Sequence, residues 1–500
     1  MHADIMNLAA RRGLFFPAAS IYPDAPAGFF DYANEGLRIR RQIIQAWREE
    51  MVEKEGYLEL DGSTILPEKV FQASGHLIHF NDPMVVCPSC QTAYRADNLI
   101  TDKSGEVIPE GAALDFFDQK IKDLGIACPK DNNPFGNTKR FNMMMKVELG
   151  VTQDQTAYLR PEACQNIFLD FPRIWKLGKI KLPIGLAQVG RAYRNEIAPR
   201  QGLLRTRELE HMDVEVFFNP QKINEVSRWE EVKGYLLRLK LVRKDAIESI
   251  SCEDAVNQGI VSGKVVAYHL ARCQQFFETL GMGVERMRFR ELEKESRAFY
   301  ASETWDFEVK LEEGWVELVA CNYRTDYDLQ SHGKESKQDL GVKEEGSDEK
   351  FIPHVFELSM GVGRTVFCTL ALAYRHEFKG PDERMYLDLP PRLAPNMAGV
   401  FPLMKKDGLG EKAREIFTHL QAMKTRVFYD DAGSVGKRYA RADEVGVPFA
   451  ITIDHQTLED QTVTLRERNT MKQKRIPVDA LEEILWKFST HQKGFEDLAE

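Results

Sequence analysis

Between Leu182 and Asn219, short apolar runs alternate with charged positions, and a loop at 198–202 containing proline, arginine and glycine splits the stretch in two. Side chains two apart share one face of a strand, so the pattern predicts two paired antiparallel strands and commits this part of the chain to a sheet. Gly314–Leu329 reads as a further strand region. Leu37–Lys54 reads as an amphipathic helix, with Leu37, Ile39, Ile43, Ile44, Trp47 and Val52 near helical spacing. Trp229–Gln275 is expected to be mostly helical and charged. Val86–Asp131 is expected to be loop-rich, an insertion holding three cysteines, and Gln330–Lys350 a mobile polar tract.

A boundary falls near Leu387–Pro395, where three prolines occur with neither helical nor strand period. Beyond it, strands are predicted at Val400–Leu403, Arg426–Tyr429, Phe449–Ile453 and Val463–Arg466. Helices are predicted at Glu411–Met423, Gly436–Glu444 and Ala480–Phe488. That alternation predicts a small α/β domain after a larger α+β one. Five hundred residues suffice for two or three domains. No stretch approaches twenty apolar residues, which argues against a membrane span, and 1–13 lacks the pattern of a secretory signal. Eight scattered cysteines do not make a disulfide scaffold, so the cytoplasm is the expected compartment. The net charge of −10 excludes an overall basic coat but not local patches. Arginines concentrate in 191–207, and basic residues again at Lys437, Arg438, Arg441, Arg466, Arg468, Lys472, Lys474 and Arg475.

The segment RAYRNEIAPRQGLLRTRELEHMDVEVF (Arg191–Phe217) carries the most chemistry. Arg194 and Glu196 face one way on a strand, with Arg205, Arg207 and Glu208 across the turn. A guanidinium fork suits phosphate or carboxylate, and a carboxylate accepts from an exocyclic amine. By spacing alone this is either a nucleotide clamp or a salt-bridged structural hairpin. PHVFELSMGVGR (Pro353–Arg364) is either a strand-to-helix turn packed against a ligand or an ordinary tight turn.

Together these segments resemble motifs 2 and 3 of the class II aminoacyl-tRNA synthetases, and RNEIAPRQGLLRTRE is close to the glycyl form. The resemblance implies Arg194 on the α-phosphate and amino-acid carboxylate, Glu196 on the adenine amino group, Arg205 near the terminal phosphates and Arg364 stacked on adenine. YLRPEACQNIFLDF (Tyr158–Phe171), WDFE (Trp305–Glu308), GWVELVACNYRTDYDL (Gly314–Leu329), ASGH (Ala73–His76), GFFDY (Gly28–Tyr32) and GSVGKRYARADEVGVPFAITID (Gly433–Asp454) extend the likeness over most of the chain. They imply Glu162 as acceptor of the glycine ammonium and Glu317 as holder of ATP-bound Mg2+. Asp213, Arg324, Glu357 and Ser359 complete the glycine site. In the anticodon-binding domain, Lys437, Arg438, Arg441 and Arg466 are the candidates to touch tRNA. The implied architecture is an antiparallel sheet flanked by helices over 1–390, with insertions at about 86–140 and 222–300 (the latter helical), then an anticodon-binding domain over 391–500. A homodimer joining glycine to tRNA(Gly) through an adenylate follows from the same likeness.

Four positions depart from the family pattern. Asp213 stands for a glutamate, Ala320 and Asn166 for glycines, and Leu209 for the phenylalanine that stacks on adenine, a loss of about 0.5–1.5 kcal/mol. The added methyl and the shortened acid either compensate and keep glycine or reshape the pocket. Cys87-Pro-Ser-Cys90 is a zinc-knuckle pair, and Cys128-Pro-Lys-Asp131 reads as a second pair whose last cysteine is aspartate. Zinc accepts an aspartate oxygen, but four-cysteine sites are the commoner structural form, so bound and absent zinc both stand. His76 and His79 are alternative ligands, although His76 belongs to the ASGH segment. Two other readings compete: a diverged enzyme adenylating another small amino acid or serving another acceptor, and a non-catalytic nucleic-acid-binding relative such as the accessory subunit of the mitochondrial DNA polymerase. The second would require erosion of Arg194, Glu196, Glu317 and Arg364, and all four positions are filled.

Overall fold

The structure is a computed structural model describing residues 2–106, 108, 112–152, 155–178, 180–197, 199, 201–379, 382–490 and 494–498. Ala198 and Arg200 of the predicted hairpin loop lie outside the described residues. Helix α1 (Asn34–Trp47) begins three residues before the predicted start and passes into a π-helical stretch, Arg48–Glu53. Its apolar stripe of Ile39, Ile43, Ile44 and Trp47 is buried.

The main sheet has nine strands: β1 (Leu58–Glu59), β2 (Ile184–Tyr193), β3 (Glu208–Phe218), β4 (Leu236–Lys240), β5 (Glu248–Ser251), β6 (Met287–Glu291), β7 (Glu303–Leu311), β8 (Gly314–Thr325) and β9 (His354–Gly361). Their spatial order is β5-β4-β6-β7-β8-β9-β3-β2-β1. All pairs are antiparallel except β1 with β2 and β4 with β6. The predicted hairpin is present as β2 and β3, with Gly190 opposite His211 and Gln188 opposite Asp213.

Alternation along β3 places Met212, Val214 and Val216 in the main hydrophobic core, together with residues of α1 and of α2 (Lys264–Thr279). The opposite face carries Asp213 and Glu215, which are also fully buried. A strand buried on both faces whose second face is acidic marks an enclosed polar cluster rather than a solvated surface. Strand β9 ends at Gly361 and helix α3 (Val362–Ala373) starts at the next residue, giving the strand-to-helix turn that the sequence allowed. A Cβ at Gly363 would lie 3.3 Å from the Leu203 carbonyl oxygen, so the hairpin loop packs against the first turn of α3.

Three segments differ from expectation. The region 222–300 is not a purely helical insertion: it supplies β4, β5 and β6, whose alternating Leu237/Leu239 and Met287/Phe289 are buried in the sheet. The lysines and arginines between them gave the segment its helical, charged look. The 86–131 region is not predominantly loop. Helices Ala96–Ser104 and Leu114–Asp123 pack on strands Asn81–Val86, Ala93–Arg95 and Lys139–Asn142, with Val85, Ala96, Ile100, Phe117 and Ile121 as a small core. The polar tract after Leu329 holds the rest of helix Tyr327–Ser336 and the paired strands Val342–Lys343 and Lys350–Phe351.

Past the prolines a second sheet of order β11-β10-β12-β13-β14 forms from β10 (Ala398–Pro402), β11 (Val427–Tyr429), β12 (Phe449–Ile453), β13 (Thr462–Glu467) and β14 (Gln473–Pro477). Its first pairs are parallel and the rest antiparallel, and it encloses its own core. Strand β14 and the helix His455–Asp460 escaped the sequence reading; β14 is mostly polar and lies on a sheet edge, where apolar alternation is weak. Among the described residues, no helix is long and apolar enough to cross a membrane.

Candidate active site

The site occupies the face of the main sheet opposite the core, where residues from β3, β9 and β8 fall in two rows. In the first row Asp213 lies opposite Ser359, and Ser359 opposite Ala320. In the second, Glu215 lies opposite Glu357, and Glu357 opposite Asn322. The two-residue repeat puts both rows on the same face.

Above the first row opens a cavity of about 780 Å³ lined by Arg194, Leu209, Glu317, Ala320, Ser359, Gly361 and Arg364. Its far wall is the N-terminal segment, including Ala25, Phe29, Phe30 and Tyr32. That wall is fastened by Arg207, whose backbone N–H donates to the Gly28 carbonyl at 2.8 Å and whose Nη1 donates to the Ala27 carbonyl at 3.0 Å. Gly28 has φ +92, and a Cβ there would meet Pro199 at 2.7 Å, so glycine is required where the segment crosses the hairpin loop.

Arg194 donates from Nε to the Pro161 carbonyl at 3.0 Å and lies over the Phe80 ring. Arg364 donates to the carbonyls of Leu204 at 3.2 Å and Glu317 at 3.0 Å, with the Glu317 carboxylate 3.5 Å away. The Glu317 side chain is 43% exposed, so its carboxylate is available at the cavity wall to a hydrated cation. Glu196 and Arg205 pair with each other at 2.7 Å across the hairpin loop and do not line the cavity. Behind Glu317, burial and then the Glu317 charge push the Asp306 carboxyl up to about 7.

The second row lies deeper, in a buried acidic cluster. Arg324 is fully buried and donates to both oxygens of Asp328, at 2.7 and 2.8 Å, and to Glu357 at 3.0 Å, with its guanidinium 3.7 Å from the Tyr300 ring centre. Asn322 donates to the other Glu357 oxygen at 2.7 Å. Burial pushes the Glu357 carboxyl up to about 7, opposed by Arg324. Glu162 is approached by Gln165 Nε2 at 2.9 Å, the Cys164 thiol at 3.1 Å and His76 Nε2 at 3.2 Å. Burial alone would raise the Glu162 carboxyl, but His76 and Arg324 hold it well below the usual range. His76 therefore serves the acidic pocket and not the cysteine cluster; Ser74 bonds its Nδ1 at 2.8 Å. The Ser359 hydroxyl donates to Asp213 at 2.7 Å, while the second Asp213 oxygen has no hydrogen-bond partner among the described residues and lies 3.8 Å from His211 Nδ1.

Of the four departures, Asn166 lies outside the pocket: it accepts from Arg160 at 2.9 Å and fills the space left by Gly62. Asp213 and Ala320 are two strands apart, roughly 9–10 Å, so the methyl of one does not occupy the space vacated by the other. Sequence reasoning missed Glu215, Asn322 and Asp328. Glu215 was legible in principle, because Asp213-Val214-Glu215 on a strand puts both acids on one side; Asn322 and Asp328 carry no signal short of the fold.

In the small module, Cys87, Cys90, Cys128 and Asp131 converge, each offering an atom within 4.8 Å of the others. Cys90 and Cys128 sulfurs are 3.6 Å apart, and Cys87 sulfur lies 3.4 Å from Asp131. Three thiols and a carboxylate at that spacing suit a tetrahedral zinc ion. In the second sheet domain, Lys437 is exposed and Arg441 half-buried on helix α4 (Val435–Glu444), with Arg441 paired to Asp430. Arg438 and Arg466 are buried: Arg438 donates to the carbonyls of Pro402 and Gly433, and Arg466 to both oxygens of Asp443 at 3.0 Å.

A hairpin and a strand-to-helix turn that bring arginines to one cavity on an antiparallel sheet define a class II tRNA synthetase core, and the comparisons agree. The family model "tRNA synthetase class II core domain (G, H, P, S and T)" matches residues 146–372, and "Anticodon binding domain" matches 398–487. The chain is similar to the glycine–tRNA ligase of Methanocaldococcus jannaschii, 35% identical over 97% of this chain and 98% of that one. It is equally similar to that of Aeropyrum pernix, 35% identical over 99% and 98%. The chain belongs to the glycine–tRNA ligase family. Among solved structures, a Giardia lamblia prolyl-tRNA synthetase in complex with prolyl-adenylate shares the fold, with TM-score 0.60 and 17% identity over 96% of this chain and 74% of that chain.

Proposed function

We propose that the chain attaches glycine to tRNA(Gly) with ATP, through a glycyl-adenylate. One observation carries this reading: Ser359 lines the nucleotide-sized cavity and also donates to Asp213 in the acidic pocket, so a triphosphate site and an ammonium site meet at one residue. In this reading the amino-acid carboxylate attacks the α-phosphorus in line and pyrophosphate leaves; the terminal ribose of tRNA then takes the acyl group. Arg194 steadies the α-phosphate and the attacking carboxylate, and Arg364 stacks on adenine. Glu317 is the carboxylate in reach of the cation carried in with ATP. Mg2+ supplies charge neutralisation on the phosphates. Positioning and electrostatics dominate, because this chemistry demands little covalent work from the protein. Glu196 and Arg205 exchange their mutual pair for adenine and the terminal phosphates, and Leu209 supports the base by apolar contact.

Glu162, Asp213 and Glu357 receive the ammonium group, with Arg324 holding Glu357 in place. The Ala320 methyl, beside Ser359 on the cavity wall, acts as a steric stop against larger amino acids. Lys437 and Arg441 contact tRNA, while the buried Arg438 and Arg466 support the strands and helix beneath them. The boundary between catalytic (1–390) and anticodon-binding (391–500) portions, a homodimeric state, a cytoplasmic location and zinc at Cys87, Cys90, Cys128 and Asp131 belong to the same proposal. Pyrophosphate exchange with ATP and Mg2+, run with glycine, alanine, serine or no amino acid, tests it. Exchange with glycine alone, followed by charging of tRNA(Gly), is expected; exchange with another amino acid, or with none, overturns it.

A further inference from the structure

Glu215 is fully buried on β3, two residues from Asp213 and directly opposite Glu357. Neither of its carboxylate oxygens has a hydrogen-bond partner among the described residues. Its neighbours differ. Glu357 is held by Asn322 and Arg324, Glu162 by Gln165, Cys164 and His76, and Asp328 by Arg324. A buried carboxylate without donors is the costliest group in such a cluster, and the usual escape is to hold a proton.

The charges around it point the same way. Facing it are Glu357 from β9, Asp213 from its own strand, Asp328 from helix Tyr327–Ser336, Cys164 from the turn before helix Gln165–Gly178, and Arg324 from β8. Cys164, Glu215 and Glu357 offer atoms within 4.8 Å of one another. Arg324 is the cation among these groups, and it is spent on Asp328 and Glu357. Carboxylates this close cannot all ionise. Burial and the Glu357 charge accordingly hold the Glu215 carboxyl well above the ordinary range. The guanidinium on Glu357 also makes the group a poor cage for a metal ion.

We propose that Glu215 is a positioning residue of the amino-acid site that carries a proton in the empty enzyme and gives it to solvent when the substrate ammonium enters. The O–H bond of the Glu215 carboxylic acid breaks, the proton leaves to water or buffer, and the carboxylate formed faces the newly arrived cation, so charge in the pocket is conserved. The inference rests on the reading that this pocket receives glycine. Because binding releases a proton, glycine affinity rises with pH over the range in which the proton is held, by at most about tenfold per pH unit for one proton released. The family resemblance implies Glu162 for the ammonium, with Asp213 and Glu357 among the other residues of the glycine site, and leaves this acid without a task.

The test uses the full chain. Glycine binding is measured by calorimetry at pH 7 in phosphate and in Tris, whose ionisation enthalpies differ, and glycine KM in pyrophosphate exchange is measured from pH 6.5 to 8.5. In the wild type the binding enthalpy is expected to depend on buffer, and glycine KM to fall several-fold as pH rises, while ATP KM does not follow. Glu215→Gln removes both effects, and Glu215→Asp, which keeps an ionisable acid, restores them. Buffer-independent enthalpy in the wild type overturns the proposal even if the variants fail to fold. A pH slope that persists in Glu215→Gln also overturns it, leaving the glycine reading intact. Absence of glycine-dependent exchange in the wild type at every pH defeats the glycine reading itself.

Discussion

Replacing Arg324 with methionine removes the charge at the centre of the acidic pocket while keeping an unbranched apolar side chain of similar reach. The guanidinium makes two hydrogen bonds to Asp328 and one to Glu357, all between 2.7 and 3.0 Å, and is fully buried. Removing one partner of a buried ion pair costs about 3–5 kcal/mol, because the other charge is left uncompensated. Here two carboxylates lose their cation, Glu357 keeping only Asn322, so Arg324→Met is expected at the upper end of that range in guanidinium denaturation at pH 8. The pH dependence follows from Glu357, whose carboxyl stands at about 7 with Arg324 still pulling it down. Without Arg324 its folded-state value rises further above the unfolded one. A carboxyl raised in the folded state destabilises above its unfolded pKa, and the penalty fades as pH falls through the folded value. The deficit relative to wild type should therefore be largest at pH 8 and smaller at pH 6. Adding Asp328→Asn should recover part of it. A deficit below about 1 kcal/mol at pH 8, or one that grows on acidification, would refute the claim that this ion pair is what makes the pocket tolerable.

Arg194→Ala should lower glycine-dependent exchange by about 10²–10³, the loss typical of one preorganised charge-stabilising donor, with the circular dichroism spectrum retained; normal exchange would remove it from the site. Ala320→Gly should raise alanine-dependent exchange relative to glycine by about tenfold, the usual discrimination from one methyl; an unchanged ratio would rule out the steric stop. Metal analysis of protein purified without chelator should find one zinc per chain, lost in Cys90→Ser together with a lower melting temperature; a metal-free wild type would leave the cluster as a set of free thiols. Arg438→Ala should lower the stability of the carboxy-terminal domain and reduce tRNA charging while sparing pyrophosphate exchange. A stability equal to wild type would put Arg438 back among the tRNA contacts.

The two halves of the site were not equally legible. The hairpin announced itself because period-two alternation is a local signal, whereas the glycine pair left a strand-to-helix turn and an ordinary tight turn both open. Arg194, Glu317, Ser359 and Arg364 do reach one cavity. The acidic pocket is assembled across strands β3, β9 and β8 and the helix after β8, so the partnership of Glu357 with Asn322 and of Arg324 with Asp328 depends on register, which no local pattern encodes. Segment 222–300 misled for a related reason. Its strands are short, and helices Cys252–Asn257 and Lys264–Thr279 lie between β5 and β6, so window-scale periodicity averaged them into helix. The cysteine–aspartate cluster was legible from spacing alone, but the helices that build its module were hidden by a polar sequence. Arg438 and Arg466 illustrate the limit of charge counting: a basic run marks a surface only if the side chains are not already spent inside.

The wall of the nucleotide cavity contributed by residues 18–32 has a consequence for the order in which the molecule can be completed. Arg207 holds the carbonyls of Ala27 and Gly28, and the opposite rim is finished only at Gly361–Arg364. As the chain leaves the ribosome, residues 18–32 must wait until position 207 before the contacts to Ala27 and Gly28 exist, and until 361–364 before the opposite rim is in place, and contacts of such sequence separation form late. Nucleotide binding is therefore a reporter that synthesis has passed the turn at Gly361–Arg364. A nascent chain interrupted before the motif around Arg364 carries the hairpin but no closed chamber, and cannot engage ATP at the expense of its mature counterparts.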